Sequence, residues 1–307
     1  MTDTRPRSFT FLVNPASGGG AAPAAVVPVA RLLRDGGANV DVTYSPGPKA
    51  MGALVAAAVE KGDVVVSVGG DGMLSSLAGL VATAQGTLAV VPAGRGNDFA
   101  RMLGLPEDPG ALATLLLEKD ARRVDLLSLA LPGAAEPRVV ASSVYCGVDA
   151  RAGEIVDKAH WLPSALQYPY AALRALATYK PGRFIVSVDG DERRYDAACV
   201  VVANSAYYGK GMKIAPGATV DDGVLDIVVI EAASKLELMR SLPKVYEGGH
   251  VDLSEVTVLT GTRVELRADA ARPVPVGGDG EPLGSLPPQS GQPAVVELLP
   301  GALSVIA

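Results

Sequence analysis

The stretch Val64–Gly72, VVVSVGGDG, decides the fold of this chain. Its first five residues form a continuous apolar run, which is typical of a strand buried on both faces of a parallel sheet. The glycines that follow permit positive φ and a close backbone approach, and a helical pattern starts near Met73. A helix N-terminus favours an anion, and Asp71 in the turn suits a phosphate that carries Mg²⁺. The alternative is an ordinary strand-to-helix turn.

Outward from this stretch, the first 120 residues or so alternate between β-rich runs and Ala/Leu-rich stretches, which predicts βαβ units. The predicted strands are Phe9–Val13, Val40–Tyr44, Val64–Val68 and Leu88–Val91. The predicted helices are Ala24–Leu33, Ala50–Lys61, Met73–Ala84 and Pro109–Lys119. We therefore expect an N-terminal Rossmann-like α/β domain with a parallel sheet over residues 1–126, which binds a nucleotide.

Beyond Asp125 the pattern changes to longer β-like segments, separated by turn signals such as Asp189-Gly190 and Asp222-Gly223. The predicted strands are Val139–Cys146, Phe184–Val188, Ala197–Val202, Val224–Ile230, Thr262–Arg267 and Ala294–Leu298. Helices are predicted at Leu162–Tyr179 and Lys235–Tyr246. This pattern predicts a mostly β, antiparallel sandwich-like domain over residues 127–307, whose last strand is able to return to the N-terminal domain.

Composition excludes several classes of function. The net charge of -6 disfavours nucleic-acid binding, which needs a basic footprint. The two cysteines, Cys146 and Cys199, form no CxxC pair, so we expect buried packing residues rather than a zinc site or a disulfide. The segment Met1–Ser8 lacks the apolar stretch of a signal peptide, and no apolar run reaches the roughly 18 residues of a membrane span. We expect a cytoplasmic protein without a transmembrane segment.

Two further glycine-rich turns follow predicted strands. Asn14–Gly20 follows the first strand and Pro92–Arg101 the fourth, at the sheet edge where open α/β sheets bind ligands. Backbone N–H groups in such turns can approach phosphate oxygens, and Arg95 or Arg101 could pair with them. The alternatives are a flexible turn in the first case and helix capping by Asn97 and Asp98 in the second.

A fourth cluster, Asp279–Pro282, is a tight turn that presents a carboxylate, which suits a group that takes the proton of an acceptor hydroxyl. The alternative is a plain hairpin turn. The sequence VGGDG occurs at 68–72 and again at 276–280, and we interpret the echo as a coincidence of turn chemistry. No GxxxxGK[ST] P-loop exists, and no GxGxxG is followed by an acidic residue about 20 positions on, which disfavours Walker-type NTPases and dinucleotide dehydrogenases.

In order and spacing these clusters resemble the diacylglycerol kinase catalytic family, in its soluble bacterial lipid kinase branch. The family motifs NPxSG, GGDGT, PxGTxNDFAR and a late DGE stand here at Asn14–Gly18, Gly69–Met73, Pro92–Arg101 and Asp279–Glu281, with further matches at Gly147–Ala150 and Ala215–Asp226. The resemblance covers nearly the whole chain and implies an NAD kinase/phosphofructokinase-like first domain. This sequence departs from the family at Met73 and Arg95, where the family has threonine, and at Ser75, where it has asparagine.

The resemblance implies an ATP-dependent lipid kinase that transfers the γ-phosphoryl group to a lipid hydroxyl, with diacylglycerol as the leading acceptor and phosphatidic acid as the product. It implies catalytic roles for Asp71 and for Glu281, the latter as general base. The implied ATP contacts are Asn14, Pro15, Ala16, Ser17, Gly18, Gly69, Gly70, Asp71, Gly72, Met73, Ser75, Arg95, Asn97 and Asp98. The implied magnesium ligands are Asp71, Asp98 and Asp125 around the nucleotide and, at a structural site, the Asp222 carboxylate with the carbonyls of Thr219 and Val224.

A lipid acceptor requires an approach to the membrane. The stretch His160–Arg183 combines aromatic and basic residues, which suits transient peripheral contact with a bilayer. These residues are Trp161, Tyr168, Tyr170, Tyr179, Arg174, Lys180 and Arg183. The alternative is an amphipathic helix that packs on its own domain. The expected location is therefore the cytoplasm, at the inner face of the membrane during turnover, and a homodimer is one option.

Two other functions stay open at this point. One is a kinase of a soluble hydroxyl substrate, because GGDG turns also occur in NAD kinases and phosphofructokinases. The other is a nucleotide-sensing module without turnover, which the departures at Met73 and Arg95 motivate. Asp71, Asp98 and Glu281 are all present, as turnover would require.

Overall fold

The structure is a computed structural model that describes residues 6–156, 158–159, 161–178, 180–270 and 272–307. It divides into two compact units. The first runs to Asp125 and includes Pro300–Ala307, and the second comprises Leu126–Leu299. The chain crosses from one unit to the other within the strands β5 (Ala121–Ala130) and β15 (Ala294–Ile306).

The first unit is a parallel sheet with helical connections. Its elements are β1 (Ser8–Val13), α1 (Ala22–Asp35), β2 (Asn39–Tyr44), α2 (Pro48–Glu60), β3 (Val64–Gly69), α3 (Asp71–Thr83), β4 (Thr87–Pro92), α4 (Asp98–Met102) and α5 (Pro109–Glu118). The strand order is β15-β4-β3-β1-β2, and all of these neighbours pair in parallel. The predicted α/β domain with a parallel sheet is thereby confirmed.

The valine-rich run at 64–68, which forms most of β3, explains this arrangement. Val65, Val66 and Val68 of β3 are fully buried, as expected for a strand covered on both faces. Val66 and Val68 belong to a core that includes the buried faces of α1 and α5. Val65 is buried as well, outside that core. Helix α5 starts where the Asp108 carboxylate accepts a hydrogen bond from the Ala111 N–H at 2.8 Å.

The second unit is mostly antiparallel. Its further elements are β6 (Arg138–Val140), β7 (Ser143–Gly147), α6 (Val148–Val156), α7 (Ser164–Ala177), β8 (Gly182–Val188), β9 (Asp191–Ala203), β10 (Leu225–Glu231), α8 (Lys235–Glu247), β11 (Val256–Gly261), β12 (Arg263–Asp269), β13 (Pro275–Gly278) and β14 (Glu281–Ser285). The first half of β9 pairs with β8, and its second half lies between β7 and β10. Their inward side chains form one apolar core, which confirms the antiparallel β-rich domain.

One predicted strand is wrong. Val139–Cys146 was expected to be continuous, but it is split into β6 and β7. The break has a physical cause, because the N–H groups of residues 141–143 donate to the Asp279 carboxylate instead of to a strand. Both cysteines are free and buried, as predicted. No helix within the described ranges is long and apolar enough to cross a bilayer.

Candidate active site

The three glycine-rich turns of the first unit meet at one edge of its sheet. The β1–β3 register pairs Val13 with Val68, and the β3–β4 register pairs Gly69 with Pro92. Because the strands are parallel, the turns that follow them begin at the same level. The Ala93 N–H, for example, donates to the Gly69 carbonyl at 3.0 Å. This edge is where Brändén's rule places a ligand.

Close backbone contact explains why glycine is needed in these turns. A Cβ added at Gly94 would lie 2.3 Å from the Cα of Gly70, and one added at Gly18 would lie 2.5 Å from the Ala93 carbonyl oxygen. Gly18 also has a φ of 63°, in the left-handed region that favours glycine. The turns can therefore pack against each other only through bare backbone. The result is an edge rich in peptide groups, as phosphate binding requires.

Helix α3 adds an electrostatic reason to place an anion here. The helix begins at Asp71, directly after β3, and its N-cap residue Gly70 has no side chain that could satisfy the first N–H groups. These groups and the helix dipole favour negative charge at this point. A phosphate group would satisfy both.

Two carboxylates of this edge lie around Gly96. A Cβ added at Gly96 would lie 2.8 Å from Oδ2 of Asp71 and 3.3 Å from Oδ2 of Asp98. Their other oxygens hold the local structure: Asp71 accepts from the Phe99 N–H at 3.3 Å, and Asp98 accepts from Arg101 at 2.5 Å. Magnesium in nucleotide sites uses one or two protein carboxylates with phosphate oxygens and water. The pair therefore fits a nucleotide-borne magnesium ion.

Asp125 lies in β5 and contacts the returning strand β15. Its buried carboxylate accepts a hydrogen bond from the Gly301 N–H at 2.6 Å. Across the described residues, no three acidic, histidine or cysteine side chains are grouped so that they could hold a metal ion. The structure thus groups Asp71 with Asp98 and gives Asp125 a bond to the returning strand β15.

The loop between β4 and α4 is held differently from the sequence prediction. Asn97 occupies the N-cap position of α4, but its side chain does not cap the helix. Its Oδ1 accepts from the Gly94 N–H at 2.8 Å, and its Nδ2 donates to the Gly94 carbonyl at 3.3 Å. Side-chain capping by Asn97, the alternative raised from the sequence, is not made, because the side chain closes its own loop. Arg101 pairs with Asp98, while Arg95 is exposed at the tip of the loop.

The residues that depart from the family pattern lie beside the same turns. A Cβ added at Gly69 would lie 2.9 Å from the sulfur of Met73 and 3.2 Å from the hydroxyl of Ser17. Met73 therefore packs against the turn from the α3 side, and Ser17 approaches it from the turn after β1. Ser75 is buried within α3. In the turn after β1, Asn14 accepts from the Ala16 N–H at 3.1 Å, which shapes the approach to Ser17.

In the second unit, Glu281 is presented by a two-residue hairpin turn. Asp279 and Gly280 have φ values of 48° and 85° and connect β13 to β14, as in a type I′ turn. The buried Asp279 carboxylate accepts three backbone hydrogen bonds, from residues 141, 142 and 143. Glu281 follows the turn with an exposed side chain. The Asp279 carboxylate thus holds the turn, and the Glu281 side chain is exposed beside it.

The loop before β10 carries the predicted second metal site. Thr219 and Asp222 are exposed, and Asp222 accepts from the Val224 N–H at 3.1 Å. Asp226 was missed by the sequence analysis: burial and the neighbouring Asp222 carboxylate raise its pKa from 3.8 to about 6. Two carboxylates that repel each other, one of them half-buried, fit a hard divalent cation.

We expect the stability of the second unit to depend on pH through Asp226. Between its ordinary pKa of 3.8 and the folded value of about 6, the folded protein binds more protons than the unfolded chain, so stability falls as pH rises through this window. Because solvent screens this half-buried carboxylate, the free energy of unfolding should fall by at most about 1 kcal/mol, which lowers Tm by roughly 2–4 °C. Magnesium or calcium should restore the lost stability, and more so at about pH 7.5, where Asp226 is ionised, than at about pH 5. Thermal melts of the wild type and Asp226→Asn check this, since the variant should lose the pH dependence.

The described part of the stretch 160–183 has one packed and one exposed face. Ala171, Ala175 and Leu176 of α7 are buried, as a helix packing on its own domain requires. Leu166 and Leu173 of α7 are exposed instead, and so is Trp161, which precedes the helix and is 70% accessible. The Arg174 guanidinium lies over the Tyr170 ring at 5.8 Å, and that ring meets Trp161 at 5.7 Å. His160, Tyr179 and the Tyr168 side chain lie outside the described residues.

Comparison with known proteins covers both halves of the chain. Residues 8–129 match the family described as the diacylglycerol kinase catalytic domain. Residues 142–307 match the family described as the YegS C-terminal NAD kinase beta sandwich-like domain. A protein named "Diacylglycerol kinase" from Mycobacterium tuberculosis is 33% identical over 303 residues, which cover 97% of this chain and 94% of that protein.

Other relatives extend the likeness. One named "Probable lipid kinase YegS-like" from Stenotrophomonas maltophilia is 27% identical over 259 residues, covering 80% of each protein. A solved structure of a diacylglycerol kinase from Bacillus anthracis str. Sterne covers 99% of this chain and 98% of its own, with a TM-score of 0.69. At 18% identity, that structure shows a shared fold.

Proposed function

The chain belongs to the diacylglycerol kinase catalytic-domain family and is therefore a kinase, and from this premise we propose that it transfers the γ-phosphoryl group of ATP to diacylglycerol. The product would be phosphatidic acid. The choice of diacylglycerol is supported by the relative of that name, which aligns over nearly the full length. The YegS-like relatives are named lipid kinases without a stated acceptor, so the acceptor is the part of the proposal that most needs a test.

The observation that carries the chemistry is the glycine-rich sheet edge with its carboxylate pair. Bare peptide groups and the start of α3 would hold the phosphates of ATP, and Asp71 and Asp98 stand beside them to hold magnesium. When bound there, magnesium supplies the positive charge that the phosphate oxygens require. The exposed Arg95 would add a charged donor where the family has a threonine hydroxyl.

In the proposed reaction, the acceptor oxygen forms a bond to the γ-phosphorus as the bond between that phosphorus and the bridging oxygen of ADP breaks. Glu281 accepts the proton of the acceptor hydroxyl. The protein contributes mainly position and charge, as in other phosphoryl transfers. A sensing module without turnover does not fit a chain that belongs to this family of kinases.

The acceptor can be tested with ATP labelled in its γ-phosphate and a panel of lipids in mixed micelles. We expect label in phosphatidic acid at a rate at least about 10-fold above that for ceramide, a sphingoid base or phosphatidylglycerol, since a site that hydrogen-bonds its substrate discriminates by this much or more. NAD and glycerol serve as soluble acceptors. Preferential labelling of another lipid would refute diacylglycerol, and preferential labelling of a soluble acceptor would refute the lipid assignment.

We also infer that the exposed face around α7 contacts the membrane while the enzyme works. Trp161, Leu166 and Leu173 would enter the interface, with Arg174 beside them to meet anionic lipid. A fully buried apolar side chain contributes about 1.5–3 kcal/mol. A partial insertion of two such side chains is therefore enough to decide whether the protein binds to vesicles.

The double variant Trp161→Ala/Leu173→Ala is expected to bind vesicles containing phosphatidylglycerol at least about 10-fold more weakly than the wild type. Co-sedimentation measures this directly. Val27→Ala, which removes an exposed apolar side chain from α1 of the first unit, is the matched control and should bind normally. Equal binding by all three proteins would show that another surface docks.

A further inference from the structure

Strand β14, which begins with Glu281, is weakly held by its own sheet. Among the described strands it pairs with β13 alone, and most of its residues are exposed. The register between the two strands also shifts between Val276 and Gly277. An edge strand with a register shift does little to fix the direction of its first side chain. The position of Glu281 must therefore depend on what holds the turn before it.

Two side chains hold the turn Asp279–Gly280: that of Asp279 itself, and that of Tyr145, which contacts Gly280. Asp279 is fixed through its carboxylate and the N–H groups of residues 141–143. The next residue, Gly280, donates its N–H to the hydroxyl of Tyr145 at 3.1 Å. This N–H belongs to the Asp279–Gly280 peptide, so the Tyr145 bond is made at the residue directly before the proposed base.

The Tyr145 ring reaches the turn along β13. Tyr145 lies opposite Gly277 in the β7–β13 register. A Cβ added at Gly277 would lie 2.5 Å from Cε2 of the ring and 3.1 Å from its hydroxyl oxygen. Only glycine at 277 leaves room for the ring to extend past the strand to Gly280. This gives a physical role to the second VGGDG sequence that differs from the role of the first.

A second layer holds the ring in place. The ring of Tyr145 packs against that of Tyr208, with centroids 5.5 Å apart and planes tilted by 54°. The buried Asp149 carboxyl group, at the start of α6, interacts with Tyr208 and Cys199, and burial raises the pKa of Asp149. Buried polar contacts of this kind restrict the groups that make them. The Tyr145 ring is thus confined by its contact with Tyr208.

We infer that Tyr145 is a positioning residue for catalysis, whose hydroxyl orients the Asp279–Gly280 peptide and thereby the residue that follows the turn, Glu281. The inference rests on the proposed function, in which Glu281 accepts the acceptor proton. Gly280, with a φ of 85°, has no side chain to limit its own motion. Because a misplacement of about 1 Å can lower a rate by up to about 10²-fold, a lost orienting bond should be visible in kcat.

The test is a double-mutant cycle on the full-length protein with Tyr145→Phe and Glu281→Gln. Phenylalanine keeps the ring over Gly277 and removes only the hydroxyl acceptor. We expect Tyr145→Phe to lower kcat about 10-fold with little change in the KM for ATP. In the Glu281→Gln background the same change should have no further effect, because there is no base left to orient.

The outcomes separate this inference from the proposed function. If Glu281→Gln has wild-type activity, Glu281 is not the base and both the catalytic assignment and this inference fall. If Glu281→Gln is inactive but Tyr145→Phe is normal, only the inference falls. If Tyr145→Phe lowers kcat equally in both backgrounds, its role is structural and the inference also falls.

A matched control addresses stability. Tyr195→Phe removes a hydroxyl from another tyrosine of the second unit, on the first half of β9, and should leave kcat unchanged in both backgrounds. Thermal melts of all variants should agree within roughly 4 °C, which corresponds to the loss of one hydrogen bond. A 10-fold loss of kcat in Tyr145→Phe alone, with this agreement, supports the positioning role.

Discussion

Asp71→Asn is expected to lower kcat/KM for phosphoryl transfer by about 10³-fold while the protein stays folded. The asparagine oxygen can still accept the Phe99 N–H, which Asp71 accepts at 3.3 Å, so the start of α4 keeps its support. What is lost is the charge beside Asp98 and Gly96. A metal ion that stabilises a transition state by several kcal/mol corresponds to this factor, since each 1.4 kcal/mol or so changes a rate tenfold.

Initial rates over a range of magnesium concentrations would measure the effect. The variant should need more magnesium for half-maximal rate, in addition to its lower maximum. Asp108→Asn is the control, because Asp108 caps α5 and asparagine caps a helix equally well. An Asp71→Asn enzyme with normal rate and normal magnesium dependence would rule out the assignment of Asp71 to the metal.

Asp279→Ala is expected to destabilise the second unit by about 3–5 kcal/mol. Three buried N–H groups would lose a charged acceptor, and each such loss costs about 1–3 kcal/mol. Alanine would also have to adopt the φ of 48° that Asp279 has, which adds strain. Chemical or thermal unfolding should show a drop of Tm of roughly 10 °C or more.

The chain supplies a matched control for this prediction in Asp189. This residue also begins an Asp-Gly hairpin turn, with a φ of 49°, and its carboxylate also accepts backbone N–H groups, from Thr262 and Arg263. The Asp189 bonds are exposed, so water can replace them and Asp189→Ala should cost only about 1 kcal/mol. Equal losses for the two variants would mean that turn strain, not the buried bonds, dominates.

The elements of the first unit were predictable because local signals agree there. The four valines among residues 64–68 predict a doubly covered strand, and the glycine turn and the helical pattern after it leave little choice of topology. The strands of the second unit were less predictable. The split of the segment 139–146 depends on Asp279, more than 130 residues away in sequence, and no local pattern records that contact.

At the candidate site, the sequence predicted which residues lie there but not which contacts each of them makes. Asn97 looked like a helix cap, yet its amide closes the loop onto Gly94. Tyr145 and Asp226 were missed because their roles come from neighbours in space. Asp226 had one usable signal in the sequence. It lies in β10, four residues after Asp222, and Asp222 belongs to a turn for which metal binding was predicted. Tyr145 had none: a buried tyrosine in an apolar strand is indistinguishable from packing.

The return of residues 300–307 to the first unit has a consequence for synthesis of the protein. Ser304 pairs with Thr87 beside β4, and Gly301 donates to Asp125, so the nucleotide-binding sheet receives one of its strands last. On the ribosome, the first 125 residues emerge long before this strand exists. Until then, the edge of β4 that pairs with β15 stays unpaired, and pairing of strands so far apart in sequence is slow. We therefore expect the nucleotide-binding half to mature only after residues 300–307 have been synthesised, and nascent chains to depend on chaperones until then.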